Sequence, residues 1–231
     1  MRVAAIIPVL NEAATIGDVV RELPWQVVDE VIVADGGSTD GTQAVARAAG
    51  ARVVEAGRGY GRACAAGAAA TDAAVLLFLD GDGADRADLA GRVVEPLLRG
   101  EADFCLASRT RGEREPGAML WHQVLAGRLA GAGIRALTGT RYSDMCAFRA
   151  ITRVALERLT LREMTYGWNI EMQMQAARAG LRIREIPLPY RCRAGGRSKV
   201  AGSLRGTLRA GSRIVATFAR VAAAPRPGSW G

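Results

Sequence analysis

Histidine and lysine are almost missing from this chain: His122 and Lys199 are the single members of their types. A lone histidine in "LWHQ" at a helix start is more often a packing or surface residue than a ligand. Cysteine is sparse too. Cys64, Cys105, Cys146 and Cys192 lie far apart with no C-x-x-C spacing, which argues against zinc and against a disulfide framework and suits a reducing cytoplasm. No uncharged apolar run approaches the roughly 20 residues that cross a bilayer, so any membrane contact is expected to be peripheral, at the inner face. The N-terminal "AAIIPVL" is short, holds a proline and runs straight into "NEAAT", unlike a secretory leader. Two nucleotide signatures are also missing. The turn after the first apolar run is "PVLNEA", without the glycines of a dinucleotide site, and "GRGYGRACAAG" is neither G-x-G-x-x-G nor a Walker A loop.

What is present reads as one globular domain. The chain has 231 residues, 49% hydrophobic and 23% charged, with a formal net charge of +8. That balance favours a core and an anionic partner. Short apolar runs ("VAAIIPV", "EVIVAD", "ARVVEA", "AVLLFLD", "DFCLAS") alternate with helical stretches over Glu12–Leu23, Thr39–Ala49, Gly59–Ala70 and Arg86–Arg99. The pattern predicts an α/β fold with a mostly parallel sheet flanked by helices. Runs apolar on both faces suit a sheet covered on both sides. Further helices are expected over Leu120–Leu137, Thr165–Ala179 and Gly202–Ala223, a short strand or turn in "DMCAFRA", and a strand in "LRIREIPLPYR".

In such sheets ligands bind beyond the carboxyl ends of the strands, and polar residues gather just there. "LLFLDGDGAD" ends an apolar run in Asp80-Gly81-Asp82-Gly83. Two carboxylates converging at a strand end suit Mg²⁺ or Mn²⁺, the bland alternative being an acidic turn. The flanking glycines imply that something bulky comes close. "ADGGSTDGT" places Asp35 at another strand end, where a carboxylate accepts hydrogen bonds from a nucleobase; Ser38, Thr39 or Asp40 reads as a helix cap. Glycine and alanine in "GRGYGRACAAG" let a helix lie tight on the sheet. "GGRSKV" carries Lys199 beside Arg197, a compact charge suited to clamping phosphate. Arg205, Arg209 and Arg213 form a stripe on the last helix, readable as a bilayer-facing surface or as the solvated side of a packed helix.

Together, "IIPVLNEAATI", "VIVADGGSTDGT", "GRGYGRACAAG" and "FLDGDG" resemble the family-2 glycosyltransferases of the GT-A fold over the first 110 or so residues. "ASRTRGEREPGAM", "YSDMCAFRA", "TYGWNIEMQMQAARAGLRIREIPLPYR" and "GGRSKVAGSLRG" look like the dolichyl- or polyprenyl-phosphate mannosyl/glucosyltransferase branch. The resemblance implies a nucleotide-sugar half, 1–110, and an acceptor half, 111–231, ending in an amphipathic helix. Pro8, Leu10 and Glu12 would line the nucleotide pocket, Asp35 would face the base, and Asp80, Gly81 and Asp82 would hold Mg²⁺ or Mn²⁺ and the donor diphosphate. Arg109 and Lys199 would contact phosphates. His122, Asp144, Trp168, Glu171 and Arg197 would belong to the acceptor side. Two departures stand out: Gly36 and Ala84 replace an aspartate and a glutamine common among such proteins.

The activity implied is inverting transfer of a hexose from UDP- or GDP-sugar to a polyprenyl phosphate, with no nucleic-acid partner. A lipid monophosphate is already ionised, whereas a hydroxyl acceptor needs a carboxylate base, for which Asp144 and Glu171 are the candidates. Three alternatives stay open: a soluble or hydroxyl acceptor, a sugar-1-phosphate nucleotidyltransferase, and a non-catalytic binding module.

Overall fold

The structure, a computed structural model, describes residues 1–195 and 204–224. Its elements run β1 (Val3–Val9), α1 (Ile16–Glu22), β2 (Glu30–Asp35), α2 (Thr42–Ala48), β3 (Arg52–Glu55), α3 (Tyr60–Ala69), β4 (Val75–Phe78), α4 (Ala90–Leu98), β5 (Phe104–Ser108), α5 (Trp121–Thr138), β6 (Arg149–Thr152), α6 (Arg153–Glu157), α7 (Trp168–Arg178), β7 (Ile183–Pro187) and α8 (Leu204–Ala223). One seven-stranded sheet, ordered β3-β2-β1-β4-β6-β5-β7, joins them. All pairings are parallel except those of β6, which runs antiparallel between β4 and β5.

Strand periodicity explains why both sides are covered. Along β1, Val3, Ala5, Ile7 and Val9 face a core completed by Ile16, Val19 and Val20 of α1 and Val93, Val94 and Leu97 of α4. The intervening Ala4 and Ile6 face a second core with Cys64 and Ala68 of α3, Ile134 of α5, Met172 and Met174 of α7 and Val221 of α8. Side chains two apart share a face, so a strand apolar at every position needs helices on both sides. A β-carbon on Gly67 of α3 would collide with the Ile6 side chain. The small residues of "GRGYGRACAAG" therefore seat α3 closely on β1, as their spacing implied.

Every apolar run marked in the sequence contains a strand, but several boundaries differ, α2 starting at Thr42 and α7 at Trp168 among them. The first helix begins at Ile16, because residues 11–15 turn instead: Asn11 sits at φ 52° and the Glu12 carbonyl accepts from Thr15 and Ile16. Arg86–Arg99 opens as a 3-10 turn, Ala87–Leu89. In "DMCAFRA" only the tail enters β6.

For the last helix the sequence left two readings open. Arg205 and Arg209 lie outside the described side chains, while Arg213 pairs with Glu163 at 3.4 Å and Arg220 with Glu171 at 3.0 Å. With Ala210, Thr217 and Val221 buried, the described part of α8 is a helix packed on the body. No helix among the described residues is long and apolar enough to cross a membrane.

Candidate active site

The chain leaves β1 toward β2 and leaves β4 the other way, toward β5, so the loops beyond these adjacent strands diverge. A crevice is expected where strand order reverses. Three loops meet there. Beyond β1, Asn11 donates its backbone N–H to Ser38 Oγ at 2.8 Å and accepts from Thr39 N–H at 2.9 Å through its side chain. The Glu12 N–H donates to Thr42 Oγ1 at 2.8 Å. The loops after β1 and β2 are thus laced together. Pro8 and Leu10 are half-buried at this end and Glu12 is buried.

Asp35 closes β2 and is buried. Its carboxylate accepts from Gly37 N–H, from the N–H and hydroxyl of Ser38, and from Gln43 Nε2 at 2.8 Å. Burial pushes this carboxyl upward, but the Ser38, Gln43 and Gly37 bonds outweigh it and the net shift is down. In this structure Asp35 anchors its own loop.

Beyond β4, three aspartates crowd together rather than two. Asp82 and Asp85 are buried beside half-buried Asp80, and Asp85 Oδ2 accepts the Asp80 N–H at 3.3 Å. Burial first, then the Asp82 charge, lifts the Asp80 carboxyl to about 6 against the pull of Arg109, Tyr60 and Arg193. Burial, then Asp80 and Asp82, lifts Asp85 to about 8. Like charges this close in a poorly hydrated site disfavour full ionisation. The cluster fits a hard divalent cation, which would relieve that repulsion. Among the described residues no three acidic, histidine or cysteine side chains converge as a closed metal cage. Two protein carboxylates plus substrate phosphates and water is the arrangement Mg²⁺-type ions favour.

The glycines here serve the protein's own packing. A β-carbon on Gly81 would stand 2.8 Å from Val9 Cγ1, and one on Gly83, at φ +77°, would stand 3.0 Å from the Ala194 β-carbon. The bulky neighbours implied by "DGDG" are therefore β1 and the segment 190–195. That segment crosses the turn, with Arg191 N–H donating to the Ala84 carbonyl and Ala194 N–H to the Asp82 carbonyl. Arg193 reaches Asp82 Oδ2 at 2.8 Å and Glu12 Oε1 at 3.2 Å.

Arg109 follows β5 and is locked. Its Nε and Nη2 donate to the two oxygens of Asp144, each at 2.7 Å, and its guanidinium lies 5.1 Å from the Tyr190 ring centre. Asp144 also accepts from Met145 N–H at 2.7 Å. A bidentate pair of this kind fixes the guanidinium plane. Glu171 is fully buried, accepting the N–H groups of Arg162 and Glu163 and facing Arg220. Both carboxylates proposed as bases are thereby employed as structural acceptors, with their lone pairs directed at the protein. Trp168 is a core residue of α7. His122 is exposed in the first turn of α5, its ring edge-on to Trp121 at 5.8 Å. Arg197 and Lys199 lie outside the described residues.

Asp80, Asp82, Arg109 and Glu12 are thus brought together beyond the strand ends, whereas Trp168 lies in the core and Glu171 holds backbone N–H groups and Arg220. Sequence reasoning missed Asp85, Tyr60, Tyr190 and Arg193. Asp85 carried a signal, an acid three residues past Asp82; Arg193, 181 positions from Glu12, carried none.

The family profile described as "Glycosyl transferase family 2" matches residues 4–160. The chain is 34% identical over 193 residues to "Glycosyltransferase AglJ" of Haloferax volcanii, covering 81% of this chain and 62% of that protein; it therefore spans less than two thirds of that relative. It is 30% identical over 225 residues to the "Undecaprenyl-phosphate mannosyltransferase" of Micrococcus luteus, covering 89% of this chain and 90% of that one. Among solved structures, it superimposes with a TM-score of 0.78 and 27% identity on glucosyl-3-phosphoglycerate synthase from Mycobacterium tuberculosis, covering 98% of this chain and 82% of that chain. That structure holds Mn²⁺, uridine-diphosphate-glucose and phosphoglyceric acid.

Proposed function

Since this chain belongs to glycosyltransferase family 2, we propose that it transfers a hexose, with inversion, from a UDP- or GDP-sugar to a polyprenyl phosphate in a reaction dependent on Mg²⁺ or Mn²⁺. One observation carries the reading: the acidic cluster of Asp80, Asp82 and Asp85 lies beyond β4 beside the charges of Arg109 and Arg193, while Asp144 and Glu171 are already engaged. Asp80 and Asp82 would hold the divalent cation, which when bound would supply Lewis-acid neutralisation of the departing diphosphate. The residues around it do the positioning. Asp144 and Tyr190 hold Arg109 in a fixed plane, and such preorganised charges act where negative charge develops. Pro8, Leu10, Glu12 and the loop anchored by Asp35 form the side that takes the nucleotide; Gly81 keeps the turn close to β1. An ionised phosphate acceptor needs no base, consistent with the employment of both candidate carboxylates.

The polyprenyl acceptor is supported by likeness to the undecaprenyl-phosphate mannosyltransferase and by α5. Trp121, Leu125 and Leu129, at i, i+4 and i+8, and the preceding Leu120 are 77%, 47%, 64% and 46% exposed. Residues 116–143 contain no acid but include Arg128, Arg135 and Arg141. An apolar stripe with basic flanks and an interfacial tryptophan suits an anionic lipid surface. A second reading, a soluble phosphorylated acceptor, is favoured by the synthase holding phosphoglyceric acid.

The test is thermal stabilisation by UDP-, GDP- and dTDP-sugars with and without Mn²⁺, followed by transfer to a short polyprenyl phosphate or to phosphoglyceric acid. Stabilisation by one base only, and only with metal, is expected, with glycolipid as product. Asp80→Asn with Asp82→Asn should lower transfer by at least about 10²-fold. Full activity in that double variant would overturn the reading. Product formed only from phosphoglyceric acid would establish the second reading.

A further inference from the structure

Arg193 is placed where no donor or acceptor is needed to explain it. Its two terminal nitrogens bridge Asp82 Oδ2 at 2.8 Å and Glu12 Oε1 at 3.2 Å, joining the loops beyond β4 and β1 across the crevice. Asp82 Oδ1 is meanwhile occupied by the Ala84 N–H at 3.0 Å. Each oxygen of the second aspartate in the pair therefore already has a partner, one in its own turn and one a guanidinium. The arginine side chain is 28% exposed against 9% for Asp82 and 7% for Glu12. Its charge therefore lies largely out of water and is balanced by these carboxylates.

We propose that Arg193 is a resident counter-ion of the metal site. A divalent cation must displace it from Asp82, so metal and nucleotide sugar bind cooperatively. This rests on the transferase reading above. A guanidinium and a divalent cation claim the same oxygen of Asp82, and two positive charges at contact distance repel strongly in a poorly hydrated site. Metal alone gains Asp82 only by leaving Arg193 without that partner. Metal arriving with a diphosphate brings the displaced guanidinium new anionic oxygens, which it binds well. Each ligand then raises the affinity of the other by the same factor.

The segment carrying Arg193 does not depend on this pair. Tyr190 N–H donates to the Glu113 carbonyl, Arg191 N–H to the Ala84 carbonyl, Ala194 N–H to the Asp82 carbonyl, and the Arg191 guanidinium to Glu22 and the Asp85 carbonyl. Replacing Arg193 therefore removes a charge while leaving the strap attached.

Mn²⁺ binding followed by the electron paramagnetic resonance signal of free Mn²⁺ tests this, on the full chain, with the metal alone and with UDP or GDP. Nucleotide-only solutions supply the correction for metal held by free nucleotide. In the wild type, nucleotide should tighten Mn²⁺ binding at least about tenfold, within the usual range of coupling between sites. Arg193→Gln should bind Mn²⁺ alone about tenfold more tightly and lose most of the coupling. Arg193→Lys, which keeps the charge, should stay near wild type; thermal unfolding of both variants checks the fold. Unchanged metal affinity in Arg193→Gln, with binding abolished by Asp82→Asn, would overturn the proposal and leave the transferase reading intact. No Mn²⁺ binding by the wild type, even with both nucleotides, would overturn both.

Discussion

At Asp35 two opposing forces meet on one carboxyl. Burial favours the neutral acid, and the Ser38, Gln43 and Gly37 donors favour the anion and prevail. With its folded value below the ordinary 3.8, this group adds stability that is complete above the unfolded value and is lost as pH falls through the folded one. Asp35→Asn should cost about 1–3 kcal/mol at pH 7, because several donors lose a charged acceptor. Urea unfolding over a descending pH series from pH 7 checks this, since the gap from wild type should narrow as pH falls through the lowered folded value. The same scale shows what sequence spacing exposes. Asp80 and Asp82 are legible because their convergence needs one turn of chain. Arg193 meets Glu12 and Asp82 only because the strap after β7 folds back over the turn after β4.

Helix α3 illustrates how an element's place is set by its smallest residues. Gly67 faces Ile6 where no β-carbon fits, and Cys64 and Ala68 flank it in the core. Gly67→Ala should therefore destabilise the protein despite alanine's better helix propensity. Overpacking a close helix–strand contact typically costs about 1–3 kcal/mol, more than the roughly 1 kcal/mol that propensity returns. Chemical denaturation gives the sign directly. Helices α5 and α8 show the limit of periodicity. Both carry arginines and apolar stripes in sequence, yet α8 packs on the body through Thr217 and Val221, and α5 leaves Trp121, Leu125 and Leu129 outward. An amphipathic pattern says that one face is covered, not by what.

Across the whole molecule, the net charge of +8 and the acid-free stretch 116–143 bias association toward anionic surfaces. Flotation with vesicles rich in phosphatidylglycerol should recover the protein at low salt. Neutral phosphatidylcholine vesicles should recover several-fold less, as should anionic vesicles at high ionic strength, where screening shortens the reach of surface charge. Replacing Trp121, Leu125 and Leu129 together by serine should abolish recovery without shifting the unfolding temperature by more than a few degrees, because these side chains are already solvated. Recovery unaffected by the triple change would place lipid contact elsewhere.

The alternation of apolar runs and helical stretches, read along the chain, was sufficient for a mostly parallel sheet covered on both faces and for the acidic pair at a strand end. Those are consequences of local periodicity and turn chemistry, which act over a few residues. The antiparallel insertion of β6, the commitment of Asp144 to Arg109 and the reach of Arg193 to Asp82 belong to tertiary structure alone. Each depends on chain segments tens of residues apart or more being brought together, and burial raises the energetic stakes of the two charge pairings.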